Sequence, residues 1–492
     1  MITAPDAPGQ GLDADWTATD LIDGVDGELT SPLDVVGPAT GQVCGRATHT
    51  DGEAAREQTI RAADAAAAAL TDWGNAPARF RSDVLLEAVS LLSDRIDDIA
   101  YVLAVEAGKR LPEAQAEVRF SSEYLKWFAE EIRRPRGEFF TSEDNGRRQL
   151  SIRRPLGVVA SLTPWNFPVS IQARKVAPAL AAGCTVVARV SEKTPLAVTI
   201  WLKTLHEAGL PDGVLNLVHG DARTITATLL EHRAVRGVSF TGSTGVGSAI
   251  MAQAAARIVR PMLELGGNAP MIVHDDADLD IAVTQAELGK LRNTGQSCVG
   301  VNRFLVHRSV AEEFSARLAA RFDAMTLGDG TGTPVPDVGP VIDPDRVAAV
   351  NQIVDEAVAA GGRRLTAERT LPADGFWVAP TLIADVPADC RLATEEVFGP
   401  AAGIFVFDTD AEALELANRT EMGLAAYVFT SNPARAFAFA EQIDAGIVGI
   451  NDALPTVAFT PMGGTKQSGL GREGGTEGLL EFQEVRYLAW RP

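Results

Sequence analysis

The sequence predicts an α/β protein made of two doubly wound α/β domains with a small β arm, and three observations carry that prediction. Helical periodicity dominates the first third. Short β-branched runs alternating with helix-length segments begin at Leu156, and a second series of such runs follows the paired glycines Gly266-Gly267. At 492 residues the chain is too long for one core, so more than one domain is required.

Taken in order, residues 54–73 are alanine-rich and read as helix. Residues 81–109 repeat apolar side chains at helical intervals (Val84, Leu85, Val89, Leu92, Ile96, Ile99, Leu103). Strands are expected at 156–162, 185–188, 214–218 and 237–240, with a helix at 196–208 among them. The second series is expected at 270–273, 303–307, 403–407, 426–430 and 446–450. Two segments belong to neither half. Residues 133–153 are rich in Arg and Glu, contain Phe139-Phe140 and return by a strand at 149–153; residues 481–490 alternate as a strand does. Exposed strands of this kind pair with another chain or cover their own domain, and both readings stand. The expected division is therefore 1–132 with 154–264 as the first domain, 265–465 as the second, and 133–153 with 466–492 as an oligomerisation arm and C-terminal strand.

Composition narrows the partners. The chain is 46% hydrophobic and 22% charged, ordinary for a soluble protein. Lys and Arg number 44 against 65 Asp and Glu, a formal charge of −21, which argues against nucleic acid and anionic membrane surfaces. An anionic substrate then needs a local basic pocket. Residues 1–16 show no basic region followed by an apolar stretch, so no secretory signal is read there. No run approaches the roughly 18 apolar residues of a membrane span. Cys44, Cys184, Cys298 and Cys390 are too few for a disulfide framework and fit a reducing cytoplasm. The six histidines make no metal-ligand spacing, and no metal is expected.

Four segments carry chemistry. Glu264 is pressed between Leu263 and Leu265 and followed by Gly266-Gly267; glycines there permit close backbone approach, although a carboxylate on a half-exposed strand is the plainer alternative. Cys298 ends the small, polar stretch Asn293-Thr294-Gly295-Gln296-Ser297, which makes a poor core; a packed thiol is the alternative. A nucleophilic thiol and a carboxylate base together suit covalent acyl chemistry. Asn166, within Thr163-Pro164-Trp165-Asn166-Phe167-Pro168, is an amide fixed by flanking prolines. It reads equally as an oxyanion donor or as part of a capped turn. The turn Gly242-Ser243-Thr244-Gly245-Val246-Gly247 follows a strand and opens a helix, a seat for a phosphate. It lacks the lysine of a P-loop and the glycine order of the usual Rossmann fingerprint.

These segments, with Glu395-Glu396-Val397-Phe398-Gly399-Pro400 and Pro461 to Gly469, resemble the aldehyde dehydrogenase superfamily from about residue 30 to the end, in the same order. The resemblance implies one cofactor-binding and one catalytic domain, with Cys298 as nucleophile, Asn166 as oxyanion donor and Glu264 as the base for thioester hydrolysis. It implies NAD as cofactor, leaving NADP open, with Trp165, Arg189, Glu192, Gly242, Ser243, Glu396 and Phe398 around it. Within the superfamily the chain looks closest to the succinate-semialdehyde dehydrogenases, through Leu263 to Asp280, Arg292 to Cys298 and Gly469 to Gly474. That branch implies Arg174 and Arg292 as a clamp on a substrate carboxylate, with Thr456 where it carries a serine hydroxyl. It also implies a cytoplasmic homodimer or homotetramer. Glutarate semialdehyde or apolar aldehydes remain alternative substrates, and a non-catalytic protein on the same fold is the last alternative. Three departures stand out: Arg189 where a lysine is usual, Met462 for a phenylalanine beside the substrate channel, and Gly300 where many relatives place a second cysteine.

Overall fold

A computed structural model describes residues 16–134, 136–141 and 146–491. Residues 1–15, where no leader is read, and 142–145 of the arm lie outside the described residues.

The alanine-rich helix spans Gly52–Asn75. The single apolar repeat over 81–109 is two helices, Ala78–Ser93 and Ile96–Ala107. Periodicity runs through the break because both helices bury one face against the same core; the turn is fixed instead by Arg95, whose guanidinium bonds Glu207 at 2.6 Å and Thr204 at 2.8 Å.

The first large sheet has the order Gly469–Leu470, Arg260–Glu264, Val235–Thr241, Val158–Leu162, Thr185–Arg189, Leu215–Leu217, Leu21–Ile22, Val25–Asp26. Its five central strands are parallel, and each of the four predicted runs is one of them. Strands buried on both faces read as continuous apolar runs, which is why they are legible. The second sheet has the order Arg363–Arg364, Thr381–Ala384, Ala401–Phe407, Val301–His307, Ala269–Val273, Ala425–Phe429, Ile447–Ile450, parallel except at its first edge. All five strands of the predicted second series are present.

The arm is a three-stranded antiparallel sheet of Gly137–Phe140, Arg148–Pro155 and Gln483–Trp490, the last two in register from Gln483 opposite Pro155 to Trp490 opposite Arg148. The segment 466–492 divides: Gly469–Leu470 adds to the first sheet against Leu263–Glu264, and only its end joins the arm. Residues within 17–48 form a separate three-stranded sheet that the sequence pattern does not announce. Among the described residues no helix is long and apolar enough to cross a membrane.

Candidate active site

In the first sheet the order of strand addition reverses between Val158–Leu162 and Val235–Thr241, and a ligand crevice is expected where their carboxyl ends diverge. A cleft of about 250 Å3 opens there. Trp165, Asn166, Gly242 and Ser243 line it from the first sheet; Cys298, Glu396, Phe398 and Arg346 face them from the second. The rings of Trp165 and Phe398 meet edge-on across it, 5.4 Å apart. Seven of the expected site residues thus share one cavity, although they come from four separate stretches of chain.

Cys298 is delivered by a strained loop. Asn293, Thr294 and Gly295 all have left-handed backbone, with φ of 53°, 56° and 73°. For the two non-glycine residues this costs on the order of 1–3 kcal/mol each, so neighbouring groups must hold them. Asn293 Nδ2 donates to the Asn166 carbonyl at 2.9 Å and the Gln296 carbonyl at 3.1 Å; Thr294 Oγ1 donates to the Gly339 carbonyl at 3.1 Å. A Cβ on Gly295 would lie 2.2 Å from the Gly399 carbonyl, which excludes any side chain. Asn166 is buried, and its Nδ2 donates to the Gln296 carbonyl at 3.1 Å, leaving a second N–H to offer. Asn166 and the loop that carries Cys298 are therefore braced on each other.

Glu264 ends its strand, and its backbone is tied to the phosphate turn by Gly242 N–H donating to its carbonyl at 3.0 Å. A Cβ on Gly267 would sit 2.2 Å from the Cys298 carbonyl, so the paired glycines bring the Glu264 turn onto the Cys298 loop. The Glu264 carboxylate is 3% exposed and neither oxygen has a hydrogen-bond partner among the described residues. Burial first, then the nearby Glu473 carboxylate, push its pKa up to about 8. Burial raises Glu473 too, but Lys175 and Arg174 overcome it and hold Glu473 below its usual range. Lys175 Nζ lies 2.5 Å and Arg174 Nε 3.3 Å from its oxygens. Of the two carboxyls, Glu473 keeps the charge and Glu264 the proton. Cys298 is pushed up to about 12 by burial, with Arg174 opposing and Glu396, Glu264 and Glu473 adding to the rise. The resting thiol is protonated.

The groups expected around a dinucleotide fit one. Ser243 caps the helix Thr244–Ala255 without a side-chain bond to it, so first-turn N–H groups face the cleft as a pyrophosphate requires. Glu396 is half-buried in the wall, where Gly267 N–H donates to it at 3.2 Å; desolvation lifts it to about 7. An adjoining groove of about 670 Å3 is lined by Arg189, Arg223, Phe240, Val246 and Ala249 among others. Arg189 Nη2 is bonded to Glu192 at 2.5 Å and to the Gly220 carbonyl at 3.3 Å; Glu192 does not itself line the groove.

The two expected carboxylate clamps part company. Arg174 is buried in an ion pair with Glu473 and touches Met462 Sδ, the departure noted in the sequence. Arg292 has no ion pair among the described residues and lies 5.1 Å over the Phe167 ring. Thr456 is half-buried in the loop after Ile447–Ile450 and lines neither the cleft nor the groove. Glu473 and Lys175 were missed in the sequence. The only signal for Glu473 is a carboxylate set among glycines in Gly471-Arg472-Glu473-Gly474. Arg346, which lines the cleft and lies 5.7 Å over the Phe398 ring, has none.

Comparison with known proteins agrees with this geometry. A succinate-semialdehyde dehydrogenase of Paenarthrobacter nicotinovorans is 42% identical over 88% of this chain and 97% of its own. A glutarate-semialdehyde dehydrogenase of Pseudomonas putida is 40% identical over 94% and 95%. The crystal structure of succinate-semialdehyde dehydrogenase from Burkholderia pseudomallei superposes with a TM-score of 0.94 at 39% identity, covering 97% of this chain and 98% of that one. Residues 25–488 match the model of the aldehyde dehydrogenase family. The cleft where two doubly wound sheets meet is thus that of an NAD(P)-dependent aldehyde dehydrogenase, and the chain belongs to that family.

Proposed function

We propose that this enzyme oxidises a short aldehyde bearing a terminal carboxylate, succinate semialdehyde foremost, to the dicarboxylate. The observation that carries the reading is Arg292: a half-buried guanidinium with no carboxylate partner among the described residues, three residues before the left-handed turn ends and beside Phe167 of the Asn166 turn. A cation left unpaired in a protein of charge −21 suits an anionic substrate. Arg174 contributes from behind, through Glu473, rather than by gripping the substrate. The five-carbon homologue suits the same cation, since one methylene changes binding by only about 1 kcal/mol.

In this reading Cys298 gives up its thiol proton to solvent as Sγ adds to the aldehyde carbon, and Asn166 Nδ2 with the Cys298 N–H stabilises the oxyanion. A bound dinucleotide would supply the hydride acceptor, and Cys298 would keep the acyl group as a thioester once that carbon is oxidised. Glu264 then removes a proton from the water that attacks the thioester, and the acid departs as the thiol is restored. Ser243 with the first helical turn holds the pyrophosphate, while Glu396, Phe398 and Trp165 border the nicotinamide end. The Arg189–Glu192 pair favours NAD, because a carboxylate there accepts from ribose hydroxyls and repels a 2′-phosphate. The exposed Phe139, Val485, Tyr487 and Trp490 of the arm support a homodimer or homotetramer, and four free thiols support a reducing cytoplasm.

Initial rates with succinate semialdehyde and with butanal, equal in carbon number but lacking the carboxylate, test the reading. A preference of about a hundredfold or more in kcat/KM, roughly 2.7 kcal/mol, is expected. Equal rates would remove the carboxylate site and leave the dehydrogenase.

A further inference from the structure

Two cations lie over one ring. Lys109 Nζ is 3.9 Å and Arg292 Cζ 5.1 Å from the centroid of Phe167. Their electrostatic situations differ. Lys109 is buried in an ion pair with Glu117, both side chains 1% exposed, so its charge is balanced. Arg292 has the ring but no carboxylate among the described residues, although Glu113 comes close enough to accept from the adjacent Asn293 N–H at 3.3 Å. The backbone that carries the ring is pinned. Phe167 caps the helix Pro168–Ala182, and Glu117 Oε1 accepts from Val169 N–H at 3.0 Å and Ser170 N–H at 3.2 Å.

We propose that Phe167 is a positioning and specificity residue for carboxylate-bearing aldehydes: its π face holds the Arg292 guanidinium in place without neutralising it. The inference rests on the carboxylate reading of Arg292 above. A guanidinium needs restraint to be a preorganised anion receptor, because an Arg side chain left loose loses rotamer freedom when the substrate binds. A protein carboxylate would restrain it and at the same time compete for its donors, which is the situation of Arg174 with Glu473. An aromatic face attracts the cation through its quadrupole and leaves the planar fork of N–H donors free for a bidentate bond. The Lys109–Glu117 pair and the Glu113 contact then act as the frame, fixing the ring from one side and the backbone beside Arg292 from the other.

The test compares kcat and KM for succinate semialdehyde and butanal in the intact enzyme and in Phe167→Leu, Phe167→Tyr, Arg292→Gln and the Phe167→Leu/Arg292→Gln double variant. Leucine keeps apolar bulk and removes the π face; tyrosine keeps both. Phe167→Leu is expected to raise the KM for succinate semialdehyde about tenfold, to change its kcat by less than about threefold, and to leave kcat/KM for butanal within about threefold. Phe167→Tyr should retain the preference for the carboxylate substrate, and Phe167→Leu should lower it no further once Arg292 is glutamine. Equal losses for both aldehydes in Phe167→Leu would overturn the proposal, because Phe167 would then act by packing or through Asn166. An unchanged preference, or a further loss in the double variant, would overturn it as well. The underlying reading fails by a different sign: Arg292→Gln alone would keep the preference of the unsubstituted enzyme.

Discussion

The two walls of the cleft are built by different means. The wall from the first sheet is made by regular structure: strands end, the backbone turns, and Gly242, Ser243 and the Leu265-Gly266 turn after Glu264 arrive where parallel register puts them. The wall from the second sheet is made by a loop that regular structure would not form. Three successive left-handed residues carry Cys298 to the amino edge of the strand Val301–His307, held to the first wall by the side chain and the carbonyl of Asn166. The difference teaches where each task can sit. Dinucleotide binding uses N–H groups that a helix start always presents. Covalent chemistry needs one thiol at one point, and the strain of reaching it is carried by the surrounding hydrogen bonds.

The largest break in this comparison is on the second wall. Cys298→Ser replaces the nucleophile by one that nothing in the cleft ionises, so kcat/KM for aldehyde oxidation should fall at least about 10^4-fold, roughly 5.5 kcal/mol. NADH binding, followed by quenching of protein fluorescence, should stay within about threefold, since Ser243, Glu396 and Phe398 are untouched. Loss of binding as well would mean that the walls are not separable.

Glu264 stands where the walls join, and its effect should be intermediate. With its pKa raised to about 8, it is mostly protonated at neutral pH and gains base strength as pH rises through that value. Where thioester hydrolysis limits turnover, kcat should therefore climb between pH 6.5 and pH 9. Glu264→Gln should lower steady-state kcat by about 10^2–10^3-fold, flatten that climb, and still give a burst of about one NADH per active site. A variant that loses the burst together with the steady rate would assign Glu264 to activation of Cys298 instead.

The same contrast explains what the sequence discloses. The nine strands expected in the two sheets lie within two residues of their observed bounds, because they are rich in apolar residues, whereas Arg260–Glu264 and Thr381–Ala384 were not read. Cys298, Asn166 and Glu264 lie in short segments whose composition is odd for a core, so local reading singled them out. Glu473 and Lys175 were not found because their meaning is a contact across 298 positions, between a helix of the first domain and a turn near the chain end. The ion pair that Arg174 makes with Glu473 was not read for the same reason: its partner is remote in sequence. The join between the helices Ala78–Ser93 and Ile96–Ala107 is hidden because apolar spacing continues across it, and Gly469–Leu470 is too short to show a period at all.

The smallest expected effect sharpens the account of the first wall. Glu192 holds Arg189, which lines the groove beside the phosphate turn. Glu192→Ser removes the carboxylate that repels a 2′-phosphate and frees the Arg189 guanidinium to pair with one. The ratio of kcat/KM for NADP to that for NAD should rise about tenfold, close to 1.4 kcal/mol, through KM for the dinucleotide. KM for the aldehyde should not move, because Arg292 and Phe167 belong to the Cys298 side. If the ratio is unchanged while both cofactors bind more weakly, Glu192 serves only to orient Arg189, and cofactor choice must then be set by Arg223, the other cation lining the groove.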